Sequence, residues 1–475
     1  MRNLIGRNNE CQELKRCMDS NRSELVIVHG RRRVGKTYLI EEFFEQKFDF
    51  KYVGAHGLRT RDQLRNFARK LSRYSNITYK PFKDWLDAFY ALEDYLNTLS
   101  SKTKKVIFID EMPWIDSGKS NFVAALENFW NGWAMSQRNI MLIATGSATS
   151  WMKNKIVANK GGLHARITCN LHLAPFTLAE TEKYLESRGI DWSRYYITQA
   201  YMALGGVPFY YTLLDPNLSL AENLDYLFFG QGAQLKLEFD ELYSALFGST
   251  DTYLNIVQLL SKHKSGLTRK EIISNLGSKS SKLTKVLKNL ENCDIIEQWK
   301  QFGNKKREAD YRLTDFYTLF YYKFVENNLS RNDNWWSENM NSRSVLSWQG
   351  LSFELVCMKH YRQIKEALGI RGVSTNISSW SIRPNEEIEH GAQVDMVIER
   401  ADDKIHLCEM KFCDTEYDIN KSEDEKLRER LRLFRSVTKT KKMVAHTYVT
   451  TYGVTKGKYK GSIHSEATMD DLFKF

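Results

Sequence analysis

The sequence predicts a multidomain α/β protein. It reads as a parallel sheet covered by helices over residues 1–215, a mostly helical segment over 216–328, and a smaller α/β unit over 329–475. Three observations carry this. Short apolar runs at 25–28, 106–109 and 140–144 alternate with amphipathic stretches, as the strands of a parallel sheet buried on both faces do. Leu283, Val286, Leu287 and Leu290 then recur at helical spacing. Beyond a polar, asparagine-rich stretch at 327–341, taken as a domain boundary, strand-like runs reappear at 393–398, 405–412 and 443–450.

The bulk numbers agree with that division. A chain of 475 residues suggests roughly three domains at about 150 residues each. A 42% hydrophobic and 13% aromatic composition is unlike a disordered chain, and 6 prolines and 26 glycines leave no long flexible linker. The net charge of +11 permits binding to a phosphate polymer, and equally suits a solubilised surface. Seven scattered cysteines without a CxxC pair suggest neither a zinc site nor a disulfide framework. No apolar leader and no run of 18 apolar residues is found, so a cytoplasmic protein with no membrane association is expected.

The first chemistry lies between the run 25–28 and a helix expected at 38–44. Gly30, Arg31, Arg32, Arg33, Val34, Gly35, Lys36 and Thr37 fit G-x-x-x-x-G-K-[ST] at every fixed position. Glycines let the loop curl so that backbone N–H groups face phosphates at a helix N-terminus. Lys36 then reaches the β- and γ-phosphates and Thr37 ligates Mg²⁺, with Tyr38 opening the helix beside the nucleotide. The run 106–109 ends in Asp110 and Glu111, suited to hold Mg²⁺ through water and to orient the attacking water. The third run ends in Thr145, Gly146 and Ser147. Ser147, or Thr145, is placed to bond the γ-phosphate, and a turn or capping role is the competing reading. ATP and Mg²⁺ are therefore the expected cofactors.

With Leu4, Ile5, Gly6, Arg7 and Glu10, these motifs resemble the archaeal and bacterial STAND-like AAA+ P-loop ATPases, whose sheet carries a helical lid. Gly205-Gly206-Val207-Pro208 resembles that group's GxP motif. The resemblance implies that Pro208 approaches the nucleotide base, that the segment around Arg7 contacts base or ribose, and that Arg166 senses the γ-phosphate. A surface salt bridge is the competing reading for Arg166.

In the middle segment, Thr268 is expected to cap a helix ending at Gly277. A helix carrying Lys279, Lys282, Lys285 and Lys288 follows, then a hairpin with Lys305, Lys306 and Arg307 at its turn. That order is the one of a winged helix, and its lysines suit DNA phosphates. A lid over the nucleotide, with the lysines merely solvated, is the other reading.

The last segment places Glu409 and Lys411 on one face of a strand by period-two alternation, with Asp395 on the preceding strand. Glu354 sits on a helix whose Leu351, Leu355 and Met358 form a stripe expected to face the core. Carboxylates and a lysine converging at a sheet edge would form a Mg²⁺ site beside a scissile phosphate. The arrangement resembles the PD-(D/E)xK nuclease superfamily, in the form fused to these same ATPases. The resemblance implies that Asp395 and Glu409 hold the metal, that Lys411 orients water or steadies the phosphorane, and that Glu354 assists coordination.

The expected function is thus an ATP-hydrolysing switch coupled to a Mg²⁺-dependent DNA endonuclease-like domain. The alternative is an ATPase regulator that binds DNA or a protein partner through an inert nuclease fold, and a third is a chaperone-like or signalling ATPase. ATP, DNA, and a second copy or a protein partner are the expected partners.

Overall fold

The structure, a computed structural model, describes residues 4–100, 102–147, 149–157, 162–247, 250–277, 280–303, 309–330, 332–384 and 390–474, leaving aside the side chains of residues 149, 164 and 280–282. The chain divides into two compact units. Unit 1 comprises residues 1–175, 242–248 and 288–294, and unit 2 comprises 176–241, 249–287 and 295–475.

Unit 1 is built on five strands, β1 (Glu24–His29), β2 (Phe50–Val53), β3 (Lys105–Asp110), β4 (Ile140–Gly146) and β5 (Cys169–His172). All neighbours run parallel, in the order β2-β3-β4-β1-β5. β1, β3 and β4 are buried at every position. Alternation sends Leu25 and Ile27 into an aromatic-rich core with Phe50, Trp85 and Phe122, and Val26 and Val28 into a second core with Leu14, Leu39 and Ile143. This is the two-faced parallel sheet that the apolar runs predict. β4 lies between the strand that enters the glycine loop and the strand that ends in Asp110, so three polar strand ends emerge side by side.

Unit 2 holds two further sheets. One has three strands, β6 (Leu267–Thr268), β7 (Ile296–Trp299) and β8 (Asp310–Leu313), in the order β6-β8-β7 with antiparallel neighbours. Helix Asp251–Ser261 precedes it, and helix Arg269–Leu276 follows β6. The Thr268 side chain caps the second helix in a reciprocal box with Glu271, and Gly277 ends it in the left-handed region at φ 59°. Helix Ser280–Asn292 buries Leu283, Val286, Leu287 and Leu290, as the spacing predicts. Lys285 and Lys288 are exposed; Lys279, Lys305, Lys306, Arg307 and the Lys282 side chain lie outside the described residues.

The second sheet of unit 2 runs β13-β12-β11-β10-β9, with β9 (Thr375–Ile382), β10 (Ala392–Arg400), β11 (Lys404–Lys411), β12 (Met443–Thr450) and β13 (Ser465–Thr468). β9, β10 and β11 pair antiparallel, while β12 and β13 join parallel. Helix Arg343–Lys359 packs along β11, and helix Lys421–Thr438 packs on β10 and β12.

Several elements depart from the sequence reading. Within the polar stretch 327–341, taken as a domain boundary, Trp336 is buried among Phe320, Phe324 and Trp348, and the Asp225 carboxylate accepts from the N–H groups of Trp336 and Ser337. Two tryptophans anchor what its asparagines disguise. Residues 176–215 lie in unit 2, where Tyr201 meets Phe316 edge-on, so the compact units do not follow the three segments 1–215, 216–328 and 329–475. In helix Arg343–Lys359, Leu355 and Met358 of the expected stripe are buried beside Trp348, Phe353 and Val356, while Leu351 is 42% exposed rather than in the core.

Candidate active site and a second carboxylate cluster

The glycine loop in unit 1 is shaped by two backbone demands. At Gly30 a Cβ would lie 2.3 Å from the Leu173 carbonyl oxygen, so only glycine lets the loop pass there. At Gly35 the backbone is left-handed, φ 89°, and the residue caps helix Lys36–Phe43. Arg33 also adopts positive φ, 73°. The side chain of Lys36, 6% exposed, folds back on the loop, and its ammonium donates to the carbonyls of Gly30 (3.1 Å) and Arg31 (2.9 Å). Burial pushes its pKa down to about 8, against the opposing pull of Glu111 and Asp110.

The acids at the end of β3 are held by hydroxyls. Thr37 Oγ1 donates to Asp110 Oδ2 at 2.9 Å, and Thr145 Oγ1 donates to Asp110 Oδ1. Burial pushes the Asp110 carboxyl up, and the hydrogen bonds from Thr145 and Thr37 oppose it. Glu111 stands just past the strand in the left-handed region, φ 48°, where its carboxylate accepts from Ser147 Oγ at 2.8 Å and Ser147 N at 3.3 Å. A cavity of about 460 Å³ opens here, lined by Arg32, Arg33, Gly54, His56, Glu111, Trp114, Ser147 and Ala245.

Several expected roles are redistributed. Ser147 and Thr145, read as alternatives for one phosphate contact, each orient a different acid. Arg7, only 6% exposed, donates to Ala174 O (2.8 Å) and Val34 O (3.2 Å) and lies 3.8 Å from Glu10, so its guanidinium braces the glycine loop from behind. Arg166 donates to the Gly162 carbonyl, a local bond instead of the surface salt bridge. Val34 is buried, and Tyr38 is 49% exposed on the helix that Lys36 begins. Pro208 opens helix Pro208–Thr212 in unit 2, after Gly206, where a Cβ would lie 1.9 Å from the Phe176 carbonyl oxygen. His56, Trp114 and Ala245 carry no motif, and the sequence reading missed them.

In the C-terminal constellation, β11 alternates as predicted, while β10 is irregular around Asp395. The pairing of β10 with β9 slips between Val394 and Val397, a bulge that sets Asp395 and Met396 against Ser379 alone. Val394 and Val397 both enter the core with Ile405, Leu407 and Phe434. Glu409 and Lys411 continue the Ile405–Leu407 face toward helix Lys421–Thr438, where Glu409 pairs with Arg430 and Lys411 lies 3.2 Å from Glu423. Asp395, at the bulge, instead joins Glu354 of helix Arg343–Lys359. Lys264 Nζ lies 2.6 Å from Glu354 Oε2 and 3.7 Å from Asp395 Oδ2. Burial first, and the charge of Asp395 second, push the Glu354 carboxyl up to about 8. Burial likewise pushes Glu409 up, with Arg430 opposing it most and Asp395 adding a smaller upward push. Among the described residues no group of three His, Cys, Asp or Glu is gathered to hold a metal ion. The four expected residues thus take different cationic or acidic partners, Lys264 for Glu354 and Asp395, Arg430 for Glu409 and Glu423 for Lys411, with Asp395 still near enough to Glu409 to raise its carboxyl.

Residues 4–213 match the model of an ATPase domain found predominantly in archaea. An uncharacterized protein of Methanocaldococcus jannaschii is 27% identical over 331 residues, 69% of this chain and 70% of that protein. An uncharacterized ATP-binding protein of the same organism is 46% identical over 44 residues, 9% of this chain and 75% of that protein. Among solved structures, a Walker-type ATPase of Pyrococcus abyssi is similar at a TM-score of 0.48 and 16% identity, covering 68% of this chain and 97% of its own. The Aeropyrum pernix ORC2 protein is similar at 0.44 and 15%, covering 67% and 93%. No described helix is long and apolar enough to cross a membrane. With the glycine loop and its paired acids inside the matched span 4–213, the protein is an ATPase.

Proposed function

We propose that this protein is a Mg²⁺-ATP-driven switch of the AAA+ type whose C-terminal α/β sheet is a PD-(D/E)xK nuclease-like domain acting on DNA. The observation that carries the ATP half is the Thr37 hydroxyl, 2.9 Å from the Asp110 carboxylate, beside an ammonium resting on loop carbonyls. A hydroxyl and a carboxylate sharing a proton offer hard oxygen ligands of the kind Mg²⁺ takes. Lys36, whose ammonium donates to two loop carbonyls, can exchange them for phosphate oxygens. Bound Mg²⁺ supplies charge neutralisation on the transferred phosphoryl group. Asp110 and Thr37 would hold it, Glu111 would orient the attacking water, and Ser147 fixes the Glu111 carboxylate. ATP hydrolysis measured on wild type and Lys36→Ala tests this half; unchanged turnover and affinity in the variant would refute it.

DNA as partner rests on the +11 charge and on the helix–β6–helix–helix–β7–β8 order of a winged helix, whose Lys285 and Lys288 are exposed. Steep weakening of binding with salt is the expected signature, and salt-independent binding dismisses phosphate contact. The alternative of an inert nuclease fold draws support from Lys264 and Arg430, which neutralise Glu354 and Glu409 where a metal would be needed. Plasmid cleavage with Mg²⁺ or Mn²⁺, lost in Asp395→Ala or Glu409→Ala, separates the two readings.

A further inference from the structure

Two half-buried carboxylates side by side repel each other unless a cation lies between them. At Glu354 and Asp395 that cation is a side chain of the same chain. Lys264 stands in the loop after helix Asp251–Ser261 and before β6, 90 residues away in sequence from Glu354, with Nζ 2.6 Å and 3.7 Å from the two acids. We propose that Lys264 is a tethered counter-cation that closes the Glu354–Asp395 pair to divalent metal, so that the nuclease-like domain takes metal only when the loop 262–266 withdraws. The proposal rests on the nuclease-like reading above and names how that site is regulated.

The surroundings fit a plug that is held but removable. The loop is clamped at its C-terminal end: Gly266 is left-handed at φ 80°, a Cβ there would lie 2.7 Å from the Tyr311 carbonyl oxygen, and Ser265 O accepts from Arg312 Nε at 3.0 Å. Arg312 is itself buried, close enough to feel the charges of Asp395 and Glu354. The Lys264 side chain remains 40% exposed, whereas Glu354 and Asp395 are 17% and 20% exposed, so the lysine covers the acids from the solvent side. A cavity of about 330 Å³ adjoins them, lined by Lys264, Arg312, Trp348, Leu351, Glu354 and Asp395 among others. It leaves space beside the acids for a hydrated cation once the ammonium leaves. An ammonium is a compact point charge with three donors, the side chain nearest in kind to a metal ion. The segment 249–287 that bears Lys264 is continuous at both ends with stretches assigned to unit 1, 242–248 and 288–294, so the chain path itself offers a route by which the ATPase could move the loop.

Titration of Mn²⁺ against the full chain without nucleotide, with free Mn²⁺ read by electron paramagnetic resonance, tests the plug directly. Lys264→Met keeps the apolar stem and removes the charge. The expected result is one additional Mn²⁺ bound by Lys264→Met, at least about tenfold tighter than any binding there in wild type. Asp395→Asn in the same background should abolish it. Equal Mn²⁺ uptake by wild type and Lys264→Met overturns the plug. Plasmid cleavage scored in parallel keeps the two claims apart. Mn²⁺ uptake by Lys264→Met without cutting supports the plug and dismisses the nuclease reading. Cutting by wild type at the rate of Lys264→Met overturns the plug and leaves the nuclease reading standing.

Discussion

The acids of the two sites differ in what holds them. Asp110 and Glu111 in unit 1 are held by the hydroxyls of Thr37, Thr145 and Ser147, neutral donors that leave the carboxylates their charge. Glu354, Asp395 and Glu409 in unit 2 are held by the cations of Lys264 and Arg430, which cancel it. A carboxylate cradled by hydroxyls is oriented and still electrostatically available to a metal ion, whereas one paired with an ammonium or guanidinium has its counterion already. The contrast teaches that two acidic clusters of similar composition can stand at opposite degrees of readiness, set by the partner and not by the acid.

The comparison can be broken first at the glycine loop. Lys36→Ala should lower the turnover of ATP by about 10²–10³-fold in a steady-state assay, the effect of losing one preorganised charge on the transferred phosphate. Glu111→Gln should cost a similar factor, about 10²–10⁴, with nucleotide affinity retained, since only the group that orients water is lost. Retained turnover in Glu111→Gln would transfer that role to another residue.

At the second site the same kind of change should act on stability. Arg430→Ala leaves Glu409, 13% exposed, without its guanidinium and should destabilise unit 2 by about 3 kcal/mol in urea unfolding. The double variant with Glu409→Gln should recover much of that loss, and no recovery would show that the arginine acts through packing.

Proton linkage sharpens the contrast further. His360 is buried, its Nδ1 faces Val356 O at 2.8 Å, and its Nε2 accepts from Leu178 N at 3.0 Å, which fixes the neutral form. Burial pushes its pKa down to about 4 from the usual 6.5. The unfolded chain therefore binds the proton first. Stability from this group is present above pH 6.5 and is lost as the pH falls through 4, by up to about 3 kcal/mol. His360→Asn should flatten the slope of unfolding free energy between pH 6.5 and 4, and an unchanged slope would assign the linkage elsewhere. The smallest effect is expected for Thr145→Val, about 1 kcal/mol, since it removes one of two hydroxyls from Asp110.

The first sheet and its site were largely legible because their information is local. Apolar runs read directly as β1, β3 and β4, and eight consecutive residues specify the loop. β9, with the sequence Thr-Asn-Ile-Ser-Ser-Trp-Ser-Ile, was invisible because serines interrupt any apolar pattern, and only pairing with β10 makes it a strand. β2 and β5, four residues each, depend on their neighbours in the same way. Glu354, Asp395, Glu409 and Lys411 are identifiable as candidates from the sequence, whereas their partners Lys264 and Arg430 are not, since neither lies near them at a spacing any motif encodes.

By itself, then, the sequence determined the phosphate-loop chemistry, the parallel sheet beneath it and the capped helices of the middle segment. Each of these follows from propensities and spacings within about a dozen residues. Tertiary structure alone decided which cation answers which acid. Lys264 and Glu354 meet across 90 residues of chain, and Coulomb interaction depends on distance and burial in space, which spacing along a chain does not encode.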